Sequence, residues 1–417
     1  MQPLVPSASS SLLDAFERQD GQFAGAFAVL RDAIAQHAFP AASIAVTHRG
    51  PLVVLKAFGH FTYGGQATSD EPKAGAPLLA SFASSGNFEL TPTMLFDLAS
   101  LTKVVATTTM AMILYERGLL DLDAPISAIV PEFLTDEAKD SRRREVTVRT
   151  LLAHSSGLPA YEKLFLKAQT RDEMLQAVYT MPLTAEPATR AEYSDIGFIL
   201  LGTALERIAD EALDRFCQRE IFAPLAMAST TFNPPAELRA KIPPTADDRT
   251  FRHRMIQGEV QDENAFVLGG VAAHAGLFST ARDLSLFAHA MLNGGQPILR
   301  PETVDLFTRR ESAPAGTSRA LGWDTPSAPS QSGKHFSPDS FGHLGYTGTS
   351  LWIDPVRKIS ITLLTNRTWP DCSNQAIKQV RPRFHDAVLE ALRNETTPSG
   401  LKPGLPEPVL KRLVSET

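Results

Sequence analysis

The stretch Leu98-Ala99-Ser100-Leu101-Thr102-Lys103 lies where a short strand-like run meets a long apolar helix pattern. A serine and a lysine three positions apart share one face of a helix, with Cβ atoms roughly 5–6 Å apart, so the Lys103 amine can reach the Ser100 hydroxyl. A serine hydroxyl attacks poorly until a neighbouring base takes its proton. The free N–H groups at a helix start can also bind an oxyanion beside the serine. The spacing therefore predicts a nucleophilic serine.

The same spacing recurs at Ser399 and Lys402, in a tail rich in proline and glycine. No helix would align a serine and a lysine there, and we interpret that second pair as chance. The structural alternative for the first pair makes Ser100 a helix N-cap and Lys103 a solvated residue of the first turn. The serine and lysine alone do not decide between these interpretations.

The composition describes a globular protein with an ordinary charge balance. The 417 residues can bury a large core and suggest two structural units. A net charge of −6 disfavours nucleic acid as a partner. Cys217 and Cys372 give neither a disulfide framework nor a metal-ligand spacing. Because the sequence shows no signal peptide and no run long enough to span a bilayer, we expect a cytoplasmic protein without a membrane partner.

The N-terminal part predicts helices followed by a hairpin. Apolar residues recur at helical spacing over 12–35, and strand patterns follow over 43–47 and 52–55. Arg49 and Gly50 separate the two strands, and glycine can take the positive φ of a tight turn. The segment 64–87, rich in glycine, alanine, serine and proline, is predicted as a long loop.

From residue 119 to about 295 the pattern is that of helices joined by loops containing proline. Strand patterns return at 341–346, 350–353 and 359–364, and an amphipathic helix pattern covers 374–392. Strands at both ends of the chain predict an α/β fold, with an antiparallel sheet built from both termini and flanked by helices. We expect a sheet domain of residues 1–97 and 298–417, an inserted, mostly helical domain of residues 98–297, and an active site between them.

Two further segments carry groups suited to catalysis. Tyr193 and Asp195 precede a strong helix pattern, and in an extended segment their side chains can face one pocket while Ser194 faces away. A phenol can act as general acid or base if a nearby ammonium lowers its pKa, whereas Asp195 also suits the N-cap of the following helix. Near the C-terminus, the glycines of 342–350 would let a substrate approach a strand whose N–H groups could bind an oxyanion.

The three segments, in this order, resemble the penicillin-recognising serine hydrolases, most closely class C β-lactamases, D-Ala-D-Ala carboxypeptidases and family VIII carboxylesterases. The family's motifs Ser-x-x-Lys, Tyr-x-Asn and Lys-Thr-Gly fall on Ser100 and Lys103, on Tyr193 and Asp195, and on His343, Leu344 and Gly345. The glycine-rich phrase 269–280 looks like a subgroup that includes cell-wall recycling amidases. The resemblance covers most of the chain and implies the β-lactamase/transpeptidase-like fold, with no metal or organic cofactor.

The resemblance also implies roles for individual residues. Ser100 would be the acylated nucleophile, Lys103 and Tyr193 would share the proton transfers, and the N–H groups of Ser100 and Tyr346 would bind the oxyanion. Five residues are expected to contact the substrate: Asp195, His343, Gly345, Thr347 and His274. His154 is expected to be a structural turn residue and Trp323 a core residue, whereas residues 262–264 fit either a loop or a cleft wall.

Two departures from the family pattern change these expectations. Asp195 replaces an asparagine, and an ionised carboxylate cannot donate to a substrate amide, so we expect weak or no penicillin hydrolysis. A carboxylate near Lys103 favours the ammonium form, which makes Tyr193 the better predicted base. His343 replaces a lysine, so the positive charge there is predicted to depend on pH.

The expected function is therefore a carboxylesterase-type serine hydrolase. It would act on a small-molecule ester, amide or muropeptide-like substrate, with β-lactams as slow ligands. Three alternatives stay open: a peptidoglycan-fragment amidase or D-Ala-D-Ala carboxypeptidase, an acyltransferase using the same site, and a non-catalytic penicillin-binding sensor.

Overall fold

The computed structural model describes residues 12–63, 90–135 and 140–394. The predicted loop 64–87 and the Ser399–Lys402 pair lie outside these ranges. The strands within them are β1 (Ala41–His48), β2 (Leu52–Gly59), β3 (Phe96–Asp97), β4 (Thr231–Phe232), β5 (Ala246–Asp248), β6 (Arg254–Ile256), β7 (Leu277–Ser279), β8 (Phe341–Leu344), β9 (Ser350–Asp354) and β10 (Ile359–Thr365).

The α-helices in the same ranges are α1 (Gln19–Gln22), α2 (Ala24–Ala35), α3 (Thr109–Glu116), α4 (Val148–Leu152), α5 (Arg171–Tyr179), α6 (Asp195–Ala209), α7 (Leu213–Cys217), α8 (Ala236–Arg239), α9 (Glu263–Val267), α10 (Ala281–Leu292), α11 (Pro301–Thr308) and α12 (Ile377–Asn394). None of these helices combines the length and the apolar character needed to cross a bilayer.

The principal sheet has five strands in the order β2-β1-β10-β9-β8, all paired antiparallel. Its first two strands come from the N-terminal part of the chain and its last three from the C-terminal part, as predicted. The hairpin turn also lies at the predicted place, because Arg49 and Gly50 both take positive φ, 53° and 115°. Such a turn matches the twist of the two strands that it joins.

Side chains of β1 and β10 point alternately to the two faces of the sheet, and each face packs against its own hydrophobic core. Ile44 of β1 and Ile361 of β10 face the core that contains α2 and α12. Ala45, one position after Ile44, and Leu364, three positions after Ile361, face the larger core that contains most of the remaining helices. Successive side chains point to opposite sides of a sheet, and β10 is buried on both sides, so its apolar run is nearly continuous and is interrupted only by small buried hydroxyl residues.

Helix α10 packs against β1, β9 and β10, although the predicted boundary places it in the helical domain. Its buried residues Leu284, Phe287, Ala288 and Met291 follow helical spacing and form part of the larger core. The division of the chain at 97/98 and 297/298 stays a prediction. The short strands β4 to β7, which no strand pattern predicted, also lie within the predicted helical domain.

Candidate active site

Ser100 lies in an irregular helix start. A 3₁₀ turn, Ala99–Leu101, leads into a π-helical segment, Lys103–Thr108, and then into α3. Ala99 has a φ of 47°, a left-handed conformation that is uncommon for a residue with a side chain. Such segments and conformations cluster at functional sites because the surrounding structure must hold them in place. No side chain caps the 3₁₀ turn, so the N-cap alternative for Ser100 is wrong.

Asp97 holds the strained residue in place. Its Oδ1 accepts a hydrogen bond from the Ala99 N–H at 2.8 Å, and its Oδ2 accepts one from the Gln261 N–H at 2.7 Å. The carboxyl is buried, and burial raises its pKa to about 6 although the two N–H groups act in the opposite direction. Asp97 is thus a structural part of the site, because it fixes Ala99, the residue directly before Ser100.

Two side chains donate hydrogen bonds to the Ser100 hydroxyl. The Tyr193 Oη donates to Ser100 Oγ at 2.6 Å, and the Lys103 Nζ donates to the same oxygen at 3.1 Å. Lys103 is fully buried, and its ammonium also donates to Asp195 Oδ1 at 2.5 Å and to the His274 carbonyl at 2.9 Å. The ammonium therefore has one acceptor for each of its three N–H bonds.

The segment before α6 has the predicted alternation. Tyr193 and Asp195 contact Ser100 and Lys103, whereas the Ser194 hydroxyl points away and donates to the Pro159 carbonyl at 2.6 Å. Ser194, not Asp195, is the N-cap of α6, since its Oγ accepts from the Gly197 N–H at 2.9 Å. Asp195 is thereby left to pair with Lys103.

The His154 ring supports this segment, whereas Trp323 lies in the core. His154 Nδ1 accepts a hydrogen bond from the Ser194 N–H at 3.1 Å, and the His154 ring lies 4.7 Å from that of Tyr193. The structural role predicted for His154 is therefore confirmed. Trp323 is fully buried against Phe287 and Phe341, which confirms its core role.

The pKa shifts of Lys103 and Tyr193 oppose the prediction that Tyr193 is the general base. Burial lowers the pKa of Lys103, and Asp195 only partly counteracts this effect. Burial, reinforced by Asp195, raises the pKa of Tyr193 well above its usual value. The expectation of a phenol with a lowered pKa is wrong, because the ammonium next to it is matched by a carboxylate that repels a phenolate.

His343 is neutral. Its ring is buried, and burial together with Lys103 and Arg319 lowers its pKa well below the usual value. The Nδ1 donates to the Leu344 carbonyl at 2.8 Å, which leaves Nε2 as an acceptor without a donor among the described residues. The predicted pH-dependent positive charge is therefore absent around neutral pH.

Two arginines hold the loop after β8. Arg381 Nη2 donates to the carbonyls of Gly345 and Thr349 at 2.7 and 3.0 Å, and Arg367 Nε donates to the Tyr346 carbonyl at 2.7 Å. In a trans peptide the N–H points away from the carbonyl of the preceding residue, so the Tyr346 N–H points away from Arg381. That N–H donates to no acceptor in the described part of the chain, and its role in an oxyanion hole stays a prediction.

The same loop is fastened to the Ser100 segment. Thr347 and Thr349 are fully buried, and their hydroxyls donate to the carbonyls of Asp97 and Leu98 at 2.8 and 2.9 Å. A Cβ at Gly345 would lie 1.9 Å from Thr349 Oγ1 and 2.5 Å from the Leu98 carbonyl. The Thr347 side chain thus joins two segments and does not face a substrate, and the lack of a side chain at Gly345 serves close packing.

The phrase 269–280 supports Lys103 through its backbone. The His274 side chain is buried and contacts Asp262 Oδ1 through Nε2 at 2.9 Å, so it does not line an open pocket. Asp262 also caps α9 by accepting from the Ala265 N–H at 2.7 Å. Asn264 is buried and binds the backbone of Phe165 and Glu162, which gives it a structural role.

The sequence analysis did not predict a role in the site for four residues: Asp97, Arg319, Arg367 and Arg381. The pattern Asp97-Leu98-Ala99 does contain a signal, since an aspartate commonly accepts from the N–H two residues later. The arginines have no local signal, because Arg381 binds the carbonyl of Gly345, 36 positions away.

Comparison with known proteins identifies the family of the chain. The Beta-lactamase family model matches residues 16–380. The chain belongs to the Beta-lactamase family. It is a serine hydrolase of that family, and its fold is β-lactamase/transpeptidase-like, as the sequence resemblance implied.

Two relatives match about four fifths of the chain. An N-acetylmuramyl-L-alanine amidase of Bacillus subtilis is 32% identical over 360 residues, which cover 79% of this chain and 77% of the relative. A putative D-alanyl-D-alanine carboxypeptidase of Escherichia coli K12 is 31% identical over 359 residues, which cover 79% of each.

Solved structures of more distant relatives share the fold. EstCE1, described as a hydrolase with promiscuous acyltransferase activity, is 19% identical with a TM-score of 0.69, covering 89% of this chain and 99% of its own. A class C β-lactamase from Rhodobacter sphaeroides is 21% identical with a TM-score of 0.65, covering 88% of this chain and 99% of its own.

A Gly345→Ala variant is expected to lose at least tenfold in kcat and to unfold at lower urea concentration. The added methyl would force the loop away from Leu98, and overpacking of this kind costs about 1–3 kcal/mol. The matched control is Gly25→Ala in α2, where a Cβ meets nothing within 4 Å and alanine favours a helix. Equal activity of the two variants would contradict the packing role of Gly345.

An Asp97→Asn variant is expected to change how stability depends on pH. The pKa of Asp97 is about 6 in the folded protein against an ordinary 3.8, so the folded state retains this proton longer and its stability falls as pH rises from about 4 to 6. The difference between wild type and variant in free energy of unfolding should change by on the order of 3 kcal/mol over this window. Urea denaturation at several pH values measures the free energy of unfolding of both proteins. If this free energy changed with pH in parallel in wild type and Asp97→Asn, the raised pKa of Asp97 would be refuted.

Proposed function

We propose that the protein hydrolyses an ester or amide bond through an acyl-enzyme formed on Ser100. The observation that carries this proposal is the position of Ser100 Oγ, 3.1 Å from Lys103 Nζ and 2.6 Å from Tyr193 Oη. A nucleophile within hydrogen-bond reach of two proton-transfer groups, one of them oriented by a third group, is the arrangement that covalent catalysis needs. Asp195 is the orienting group for Lys103.

Lys103 takes the proton of Ser100 as Oγ attacks the carbonyl carbon. Its lowered pKa makes the neutral amine accessible, whereas the phenol of Tyr193 stays protonated. Tyr193 passes its proton to the leaving group and is reprotonated from Lys103, so that Ser100 ends as an acyl ester. Water then attacks the ester, and the reverse transfers return a proton to Ser100 Oγ.

The oxyanion of each tetrahedral intermediate would be bound by two backbone N–H groups, those of Ser100 and Tyr346. The Ser100 N–H lies in the first turn of its helix, where N–H groups lack intrahelical acceptors. The Tyr346 N–H is aimed by the peptide that Arg381 holds. Preorganised donors of this kind stabilise charge that develops in the transition state.

Carboxylesterase-type turnover with weak or no β-lactamase activity is the first candidate. Asp195 accepts from Lys103 and cannot donate to a substrate amide while ionised, as hydrolysis of a penicillin would require. β-Lactams would then act as slow ligands of Ser100. Acyl transfer to an alcohol or amine is a variant of this chemistry, and the description of EstCE1 supports it.

Hydrolysis of an amide bond in a peptidoglycan fragment is the second candidate. The activities for which the amidase and the putative carboxypeptidase are named, at 32% and 31% identity, favour it. We also propose a cytoplasmic location, supported by Cys217 and Cys372, which are both free thiols.

Ser100→Ala is expected to abolish labelling by a fluorophosphonate probe and to slow ester turnover at least about 10³-fold. Intact mass measures the labelling, and release of p-nitrophenol measures the turnover. Ser399→Ala, at the other Ser-x-x-Lys spacing, is the control and should label like wild type. Labelling of Ser100→Ala with undiminished turnover would mean that another residue is the nucleophile, and label without turnover in wild type would favour the sensor alternative.

The acylation rate is expected to rise with pH through a lowered pKa of Lys103, because only the neutral amine accepts a proton. Tyr193→Phe should slow acylation about 10²–10⁴-fold but keep this rise, whereas Lys103→Ala should lose it. Asp195→Asn should move the rise to lower pH, since the carboxylate stabilises the ammonium. The acylation rate of wild type and the three variants is measured in single-turnover experiments over a range of pH. If only Tyr193→Phe lost the increase of the rate with pH, the phenol would be the base.

A further inference from the structure

Two buried arginines lie behind the loop that follows β8. Arg381, on α12, donates from Nη2 to the carbonyls of Gly345 and Thr349 at 2.7 and 3.0 Å. Arg367, just after β10, donates from Nε to the Tyr346 carbonyl at 2.7 Å. The two carbonyls that flank the Tyr346 N–H therefore each bind a guanidinium.

Neither charge is neutralised by a carboxylate. Both arginines are only 5% exposed, and in the described part of the chain neither forms an ion pair with an acidic side chain. The remaining contacts of Arg367 are again with carbonyls, those of Cys372 and Asn374 at 3.1 and 3.3 Å. Burial, together with the charge of Arg367, lowers the pKa of Arg381 to about 9, which still leaves a cation at neutral pH.

Two unneutralised charges are an unfavourable way to hold a loop. An unpaired charge in a buried place is destabilising, and a neutral donor such as an amide would bind the same carbonyls without that cost. The loop is also fastened to the Ser100 segment by the hydroxyls of Thr347 and Thr349. Holding the loop therefore does not explain why both of these groups are cations.

An oxyanion formed at Ser100 would supply the missing negative charge. The carbonyl and the N–H of a trans peptide point in opposite directions, so Arg381 and an oxyanion on the Tyr346 N–H would lie on opposite sides of one peptide. One peptide and two hydrogen bonds place them roughly 7–8 Å apart. At an effective dielectric constant of about 20, the attraction of two unit charges at that distance is enough to change a rate about tenfold or more.

We propose that Arg381 and Arg367 are positioning residues that keep the oxyanion hole electropositive and, through the carbonyls that flank the Tyr346 N–H, stabilise the oxyanion of each tetrahedral intermediate. This inference rests on the proposed Ser100 acyl-enzyme and adds a source of positive charge to its oxyanion hole. The two charges are fixed in the fold before the substrate binds. They therefore act without any reorganisation at the moment when the oxyanion forms.

The competing role of the two arginines is to give the loop its shape. A loss of shape would follow whenever contacts to the loop are weakened, whereas a loss of charge follows only when a cation is removed. Arg381→Lys keeps the charge but loses the planar fork that binds several carbonyls at once. Arg381→Gln keeps N–H donors but loses the charge. Comparison of these two variants therefore separates charge from shape.

The test measures how well the site stabilises an oxyanion. An aryl trifluoromethyl ketone forms a hemiketal when Ser100 Oγ bonds to its carbonyl carbon and the Ser100 proton passes to the former carbonyl oxygen, and ¹³C NMR of that carbon follows ionisation of the new hydroxyl. Arg381→Gln and Arg367→Gln are each expected to make this hydroxyl at least tenfold less acidic, and Arg381→Lys to restore part of the acidity. Single-turnover acylation by a p-nitrophenyl ester should slow at least tenfold in Arg381→Gln, with the apparent dissociation constant of the ester changed less than threefold, because the charge develops only in the transition state.

Two control variants are matched to these changes. Arg143→Gln removes another buried arginine, which donates to three backbone carbonyls at 2.6 to 3.0 Å in segments that carry no residue assigned to the reaction. It should leave both the acidity of the hemiketal and the acylation rate unchanged. Thr349→Val weakens the attachment of the loop without removing a charge, and it should change the acidity less than Arg381→Gln does.

The inference fails if the hemiketal is equally acidic in wild type and Arg381→Gln, or if Arg381→Lys reduces the acidity as much as Arg381→Gln. If Arg381→Gln does not fold, Arg367→Gln and Arg367→Lys decide by the same measurements. Fluorophosphonate labelling of wild type separates this failure from failure of the proposed function. If Ser100 is labelled and esters turn over while the acidity does not depend on the arginine charge, only the role of the arginines is wrong. If Ser100 is not labelled, forms no hemiketal and cleaves no ester, the acyl-enzyme proposal itself is wrong.

Discussion

The structure of the site depends on one buried ammonium. Lys103 has no exposed surface, and an unpaired charge in such a place would be strongly destabilising. Its three partners come from three parts of the chain: Ser100 from the same helix, Asp195 from the start of α6, and the His274 carbonyl from the loop before β7. Satisfying this charge fixes the position of all three segments, and loss of one charged partner from such a pair typically costs 3–5 kcal/mol.

The nucleophile is likewise positioned by buried polar side chains that bind backbone groups. Asp97 fixes the strained Ala99, the hydroxyls of Thr347 and Thr349 fasten the loop after β8 to the Ser100 segment, and Arg381 and Arg367 hold that loop from behind. Each of these groups acts on the backbone. The site is thus a set of backbone segments whose relative positions are set by buried polar side chains.

Much of this fold could be predicted, because its signals are local. The hairpin at Arg49–Gly50 and the three C-terminal strands follow from periodicity and turn residues. Strands of two or three residues, such as β3 and β7, are too short to show a period. Ser194 and Asp195 are both good N-caps, and only the register of α6 decides between them. Burial decided the pKa of Tyr193 and His343, and burial is a property of the assembled protein.

The order of strands has a consequence for how this chain is made. Strand β1 lies between β2 and β10, and its register pairs Ser43 with Leu364 and Val46 with Ile361. Contacts between residues so far apart in sequence slow folding, because the long intervening loop must close first. On the ribosome, β1 emerges before β10 and has no partner on one edge until residues 359–365 have left the exit tunnel. The sheet can therefore close only after β10 has been made, and until then an apolar strand edge depends on the helices already made, or on a chaperone, for cover.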